Sequence, residues 1–418
     1  MLKAYPRHSV DITSIEYWKI FSMLFLGKMF KGACALRFEK LFAGYIGTFY
    51  AVAIPSARLG LYLLFKYFNF PKDAEILITP FTHQSIFTVI KSFGFKPVFV
   101  DIDEKTYNTS PSAVKAKINE KTKLLILTHM WGQPCDMEGF MRLKNKYGFN
   151  IIEDCAMACG AEFSGQKVGS FGDASIFSFG KAKAISTFGG GMLCTNEKKI
   201  NDFVRNTSKT FKDNKPLPLI LSIINCMIAN ILTRPRMFYL TLYPVLRFFN
   251  IRDPYNPIEH KKESLDILEN IPESWKVRMS NLQVAIGIKQ LEDLDKHNNK
   301  RIANSLVLDK TIQGSENVSV PVCLPESKHI YLYYALFIEG DYDMNGIREI
   351  LIKFGIDSQL NELTTPEQLK IFGANADDYP VFKKIAKRLL IIPNGIYLTQ
   401  KDAEYVGTSC KRIFNSIR

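Results

Sequence analysis

Paired ligand motifs are missing from this 418-residue chain. Its eight cysteines form no C-x-x-C pair, and its six histidines form no H-x-x-x-H or similar set. That argues against a zinc site and against a secreted disulfide framework, so no bound metal is expected. Long polar or repeated tracts are also absent, which excludes a large disordered region and a solenoid. Residues 1–15 lack the basic-then-apolar order of a signal peptide, and a cytoplasmic location is expected. Acidic residues are few: 41 Asp and Glu stand against 54 Lys and Arg, a net charge of +13. Such a surplus suits nucleic acid, an anionic membrane surface or a phosphate-bearing substrate. No zinc-finger, homeodomain or RRM signature is present, so nucleic acid ranks last and is not expected as a partner.

What is present is ordinary for a globular protein. Hydrophobic residues make up 47% and charged residues 23%, enough for two domains and a large core. Ser56 precedes an apolar stretch, ARLGLYLLFKYF, that reads as a capped helix over 57–68. Short β-rich runs follow at 75–79, 97–101, 123–129, 150–154, 174–179 and 191–195, with helical stretches at 84–93 and 137–147 between them. Apolar strands alternating with helices predict an α/β fold with a mostly parallel sheet covered on both faces. Ligands of such sheets sit at the carboxyl ends of the strands. Asp101, His129 and Asp154 end three of the runs, although most residues so placed only cap loops. Further on, 281–294 reads as a helix, 329–337 as a strand, and 344–354 and 400–414 as helices. These predict a smaller C-terminal α/β domain.

The most informative stretch is 151–196, where an acidic strand end is followed by S-F-x-x-x-K and a glycine run. Pyridoxal 5'-phosphate (PLP) chemistry asks for these groups. An amine forms an imine and moves protons at the substrate carbon. A carboxylate keeps the pyridine nitrogen protonated. Hydroxyls and N–H groups at a helix start hold the phosphate.

Here the chain resembles the DegT/DnrJ/EryC1/StrS sugar aminotransferases, a branch of the fold-type I PLP enzymes. The resemblance covers roughly residues 40–210 and 270–410. It is carried by FEKLFAGYIG (38–47), KPVFVDID (96–103), GQPCDMEG (132–139), IIEDCAMACGAEFSGQKVGSFGD (151–173), FSFGKAKAISTFGGG (177–191) and RMSNLQVAIGIKQLEDLD (278–295). It implies that Lys183, not Lys181, is the Schiff-base lysine, that Asp154 is the pyridinium partner and that Ser178 binds phosphate. Ala57 and Arg58 fall at the phosphate-facing helix start, where the family has Gly-Thr; Arg58 either adds charge there or only covers the helix end. His83 falls where an aromatic residue stacks on the cofactor; the alternative is a buried structural histidine. The resemblance also implies a homodimer, glutamate or glutamine as amino donor, and a keto-sugar acceptor carried on a nucleotide. Such chemistry would serve bacterial-type polysaccharide or glycoconjugate synthesis.

Departures from the family pattern matter too. Met157 replaces His or Gln near the cofactor ring. Lys276 stands where an asparagine reaches the neighbouring subunit's phosphate; it either serves that anion as a point charge or is a surface residue. The family's Glu-Gly-Gly reads Gly189-Gly190-Gly191, with Phe188 before it, and no H-Y-P-like sequence follows Asp357, which points to an unusual acceptor. Two rivals stay open: dehydration on the same scaffold, and a degenerate member acting as a membrane-bound scaffold or regulator.

Domain limits are set at 1–40 for an N-terminal segment, 41–265 for a cofactor domain with an apolar insertion at 213–258, and 266–418 for the C-terminal domain. Within the insertion, 217–232 is nearly all apolar but at sixteen residues falls short of the ~20 that a spanning helix needs. Lys212, Lys215, Arg234, Arg236, Arg247 and Arg252 flank it. Residues 17–30 repeat the theme with Trp18, Phe21, Leu24, Phe25, Lys19 and Lys28. Two readings fit: peripheral membrane contact through 17–30 and 217–249, or extra core packed on itself or on a dimer partner.

Overall fold

The structure, a computed structural model, describes residues 3–8, 12–26, 34–249, 272–361 and 363–416. Lys28, Arg252, residues 250–258 of the insertion and the 265/266 boundary lie outside the described residues. The chain runs α1 (Ser14–Phe25), α2 (Cys34–Ile46), β1 (Tyr50–Ile54), α3 (Ala57–Phe68), β2 (Glu75–Ile78), α4 (Gln84–Ser92), β3 (Lys96–Phe99), α5 (Pro111–Lys115), β4 (Thr122–Thr128), α6 (Met137–Tyr147) and β5 (Asn150–Asp154). Next come β6 (Glu162–Phe163), β7 (Gln166–Lys167), β8 (Ala174–Ser178), β9 (Gly191–Thr195), α7 (Lys198–Ser208), α8 (Pro216–Leu232), α9 (Pro235–Leu240), α10 (Leu242–Phe249) and α11 (Asn281–Ile312). The last part holds β10 (Val318–Ser319), β11 (Ser327–Lys328), β12 (Tyr334–Ile338), α12 (Met344–Lys353), β13 (Gln359–Leu360), α13 (Pro366–Ile371), α14 (Pro380–Arg388), β14 (Leu389–Ile392) and α15 (Gln400–Ser416).

A seven-stranded sheet orders as β1-β9-β8-β5-β4-β2-β3. The run from β3 to β8 is parallel, whereas β9 and β1 pair antiparallel at its edge. Side chains alternate across it. Ile76, Ile78, Ile126, Ile152 and Ile176 join α3 and α4 in one core. Leu77, Leu125, Leu127 and Ile151 face α6 in another. Burial on both faces explains why these strands read as continuous apolar runs. A second, four-stranded sheet, β10-β12-β14-β13, packs with α11, α12 and α15 around Leu308, Tyr334, Leu351 and Phe414.

Ser56 caps α3 by accepting the Leu59 N–H, as expected. Other elements differ from the expectation. Strand β12 starts at Tyr334, not 329, because Tyr331 takes a positive φ of 47° and His329 stacks on its ring at 3.8 Å. The helix expected to end at 294 continues to Ile312: a Ser280–Gln283 capping box starts it, and no glycine or proline stops it. Strand β1 lies before the first element expected. Near the N-terminus Tyr5 bridges to Ile356 beside the smaller sheet.

Candidate active site

Asp154 ends β5 in register with Thr128 and Ile176, and Ser178 ends β8 opposite Gly191. Both have the strand parity of Ile152 and Ile176, so they face the α3 side of the sheet. Lys183 follows in a tight turn, its N–H donating to Gly180 O at 3.2 Å, and the Tyr333 hydroxyl anchors that turn through Ala182 O at 3.0 Å. A Cβ built at Gly180 would lie 3.7 Å from Ser178 Oγ and 3.9 Å from Lys183 Cγ, so the two side chains flank that glycine. A Cβ at Gly191 would strike Phe177 O at 2.3 Å and Ala57 N at 3.2 Å. That glycine is what lets the start of α3 close on the end of β8.

The electrostatics match the crowding. Burial raises the Asp154 pKa above the usual carboxylate value, opposed by the Ala156 N–H and the Lys183 charge. Burial lowers the Lys183 pKa, opposed by Asp154. Each group is the other's counter-charge in a desolvated place.

The neighbouring carboxylate, Glu153, is fully buried. Its oxygens accept N–H groups of Gly169 (2.7 Å), Phe171 (2.8 Å) and Gly172 (2.7 Å), plus His129 Nε2–H at 3.1 Å. His129 Nδ1 in turn accepts the Cys135 N–H at 3.1 Å, so the neutral Nε2–H tautomer satisfies both contacts. His129, Glu153 and Cys155 offer ligand atoms within 4.8 Å of one another. Those of His129 and Glu153 are already committed, and burial pushes the Cys155 thiol up to about 12. The cluster braces a loop. Asp101, the third strand-end residue, caps α14 by accepting the Val381 and Phe382 N–H groups.

The other candidates divide. Arg58 lies over Trp275 with its guanidinium carbon 4.4 Å from the ring centroid. Both line a cavity of about 280 Å³ with Ser56, Gly189, Gly190 and Gln283. Met157 is half-buried against the core below β5. His83 is exposed, which overturns the buried-histidine alternative; its Nδ1 accepts the Ser85 N–H and caps α4. Lys276 pairs with Glu273 at 2.6 Å on the segment that carries Trp275. Lys183 also borders a cavity with Arg7, His8, Arg301, Tyr333 and Asn394. None of these five carried a local motif; they come from the N-terminal residues 7–8 and from 301, 333 and 394 in the last third of the chain. Phe188, before the glycine run, holds φ +63°.

Solved structures share this architecture. Helicobacter pylori PseC, an aminotransferase of pseudaminic acid biosynthesis, superposes with a TM-score of 0.78 at 20% identity, covering 99% of this chain and 100% of that one. An aminotransferase from Psychrobacter cryohalolentis gives 0.76 at 23% identity, covering 97% of each chain. The fold defines the class first: a fold-type I transferase, the scaffold of PLP-dependent aminotransferases. The sequence model of the DegT/DnrJ/EryC1/StrS aminotransferase family matches residues 17–218 and 245–411, and the chain belongs to that family of PLP-dependent transaminases. An uncharacterised Methanocaldococcus jannaschii protein is 28% identical over 394 residues, 93% of this chain and 92% of that protein. The spore coat polysaccharide biosynthesis protein SpsC of Bacillus subtilis is 26% identical, covering 90% of this chain and 89% of its own. GDP-perosamine synthase of Escherichia coli O157:H7 is 37% identical over 172 residues, 41% of this chain and 47% of that enzyme.

Proposed function

We propose that the chain transfers an amino group from glutamate or glutamine to a keto-sugar carried on a nucleotide, in the synthesis of a surface polysaccharide or glycoconjugate. The observation that carries this is the buried Asp154 carboxylate within electrostatic reach of half-buried Lys183, beside Ser178 and the α3 start. The donor set fits PLP: a hydroxyl, helix-start N–H groups and Arg58 suit a phosphate, and a carboxylate suits a ring N–H. When bound, the cofactor supplies an electron sink for charge that develops at the substrate carbon.

The residues do the rest. Lys183, its pKa lowered by burial, offers the amine for covalent attachment and for moving a proton at the donor's α-carbon. Asp154 would hold a protonated ring nitrogen by accepting its N–H. Ser178 Oγ and the N–H groups of Ala57 and Arg58 would hold the phosphate. His83 and Met157 would contact the ring. We assign a cofactor domain and a smaller C-terminal domain, paired as a homodimer in which Lys276 serves the neighbouring subunit's phosphate. Among the described residues no helix is long and apolar enough to cross a membrane. The proposed location is cytoplasmic, with peripheral attachment to the inner membrane face through 17–30 and 217–249.

The test is the absorption spectrum of purified wild type beside Lys183→Ala, before and after glutamate. We expect a bound chromophore that glutamate shifts with release of 2-oxoglutarate, and that Lys183→Ala lacks, with transamination down about a thousandfold. A chromophore without keto-acid release would favour dehydration chemistry. No chromophore after added PLP would move the degenerate scaffold to the front.

A further inference from the structure

Helices α1 and α8 lie together over the start of α11. Ile20 of α1 and Leu219, Ile223 and Cys226 of α8 share a core with Leu282 and Ile286. Helix α8 has a second apolar face. Leu217, Leu221, Ile224, Ile228 and Ile231 are exposed, from 44% at Ile224 to 65% at Leu217. At 3.6 residues per turn these five fall within an arc of roughly 80°, opposite the buried row. Helix α1 repeats the arrangement with Ile15, Trp18, Phe21 and Phe25 outward, Phe25 being 92% exposed. Scattered exposed apolar residues are normal, whereas such rows on two helices that share one core mark an interaction surface.

Charge selects the occupant. Residues 214–252 contain no Asp or Glu and hold Lys215, Arg234, Arg236, Arg247 and Arg252. Residues 17–38 likewise contain none and hold Lys19, Lys28, Lys31 and Arg37. Helix α8 is itself uncharged, but a second copy laid against it would bring the flanking Lys215, Arg234 and Arg236 of both copies together, with no acid in residues 214–252 to compensate. An anionic bilayer offers both the missing negative charge and an apolar layer for the rows, with Trp and Phe at headgroup depth. Spanning is excluded for α8: it has 17 residues, and its other face is held in the protein core.

We propose that the outward faces of α1 and α8 form one docking surface for an anionic membrane, both helices lying in the plane of the interface. This rests on the peripheral-attachment reading above and not on the chemistry of Lys183. Phe188 belongs to the same core and also lines the Arg58 cavity, so the docked layer backs directly onto the site.

The test is co-sedimentation of the full-length, PLP-loaded protein with phosphatidylglycerol–phosphatidylcholine vesicles and with pure phosphatidylcholine vesicles. We expect binding to the anionic vesicles only, weakened by salt. Ile224→Glu with Ile228→Glu should bind about tenfold more weakly or worse, with the solution transamination rate unchanged. Lys215→Gln with Arg236→Gln, a purely surface change, should weaken binding a few-fold at low salt. Absence of vesicle binding by wild type, or equal binding by both variants, overturns the proposal. A halved particle mass for the Ile224/Ile228 variant in light scattering would instead assign the face to a second copy. Because transamination is assayed in solution without lipid, losing it would count against the enzyme reading and not against docking.

Discussion

Glu153 and Asp154 are consecutive on β5 and face opposite sides of the sheet, and the two regions treat a buried carboxylate in opposite ways. On the α6 side Glu153 receives three backbone N–H groups and His129. Its charge is spent in shaping the 169–172 loop. On the α3 side Asp154 has the Ala156 N–H at 3.1 Å and the nearby charge of Lys183. It keeps acceptor capacity to spare. A saturated carboxylate stabilises structure, and an under-saturated one beside a desolvated amine is available for chemistry.

That contrast can be broken by neutralising each member. Asp154→Asn should lower the transamination rate about a thousandfold with little loss of thermal stability, read by steady-state kinetics beside a melting curve. Glu153→Gln should do the reverse, costing about 3 kcal/mol in denaturant unfolding because two of its N–H donors lose their partner. Equal rate loss in both would erase the distinction.

A smaller effect sharpens it from outside that sheet. Burial pushes His329 down to about 3, while its Nδ1 accepts the Tyr331 N–H. The unfolded chain therefore binds the proton first, and stability is full above the unfolded value and lost as pH falls toward 3. Between pH 7 and 5 the loss should be about 2 kcal/mol. His329→Phe keeps the ring on Tyr331 and should flatten that slope, whereas an unchanged slope would assign the acid sensitivity to other groups.

Much of this was legible before any coordinates. Ser56 before an apolar helix, IIED as a strand ending in Asp154, and Ser178 five residues before Lys183 are local patterns, and local patterns report local geometry. Illegible features depended on distant partners. Arg7 and His8 reach the Lys183 cavity because Tyr5 pairs with Ile356. The 329–333 stretch looks like strand by composition, yet the His329–Tyr331 stack turns it. His83 read equally as stacked or buried, and only its place at the exposed start of α4 removed the second option.

By itself, the sequence determined the parallel-sheet architecture and the candidate reacting groups, because hydrophobic period, caps and the spacing of Ser178 from Lys183 are written in consecutive residues. Tertiary structure alone decided which buried charges stay reactive and which apolar faces stay exposed. Saturation of Glu153 and the two-sidedness of α8 depend on what packs against them, and those neighbours lie far away along the chain.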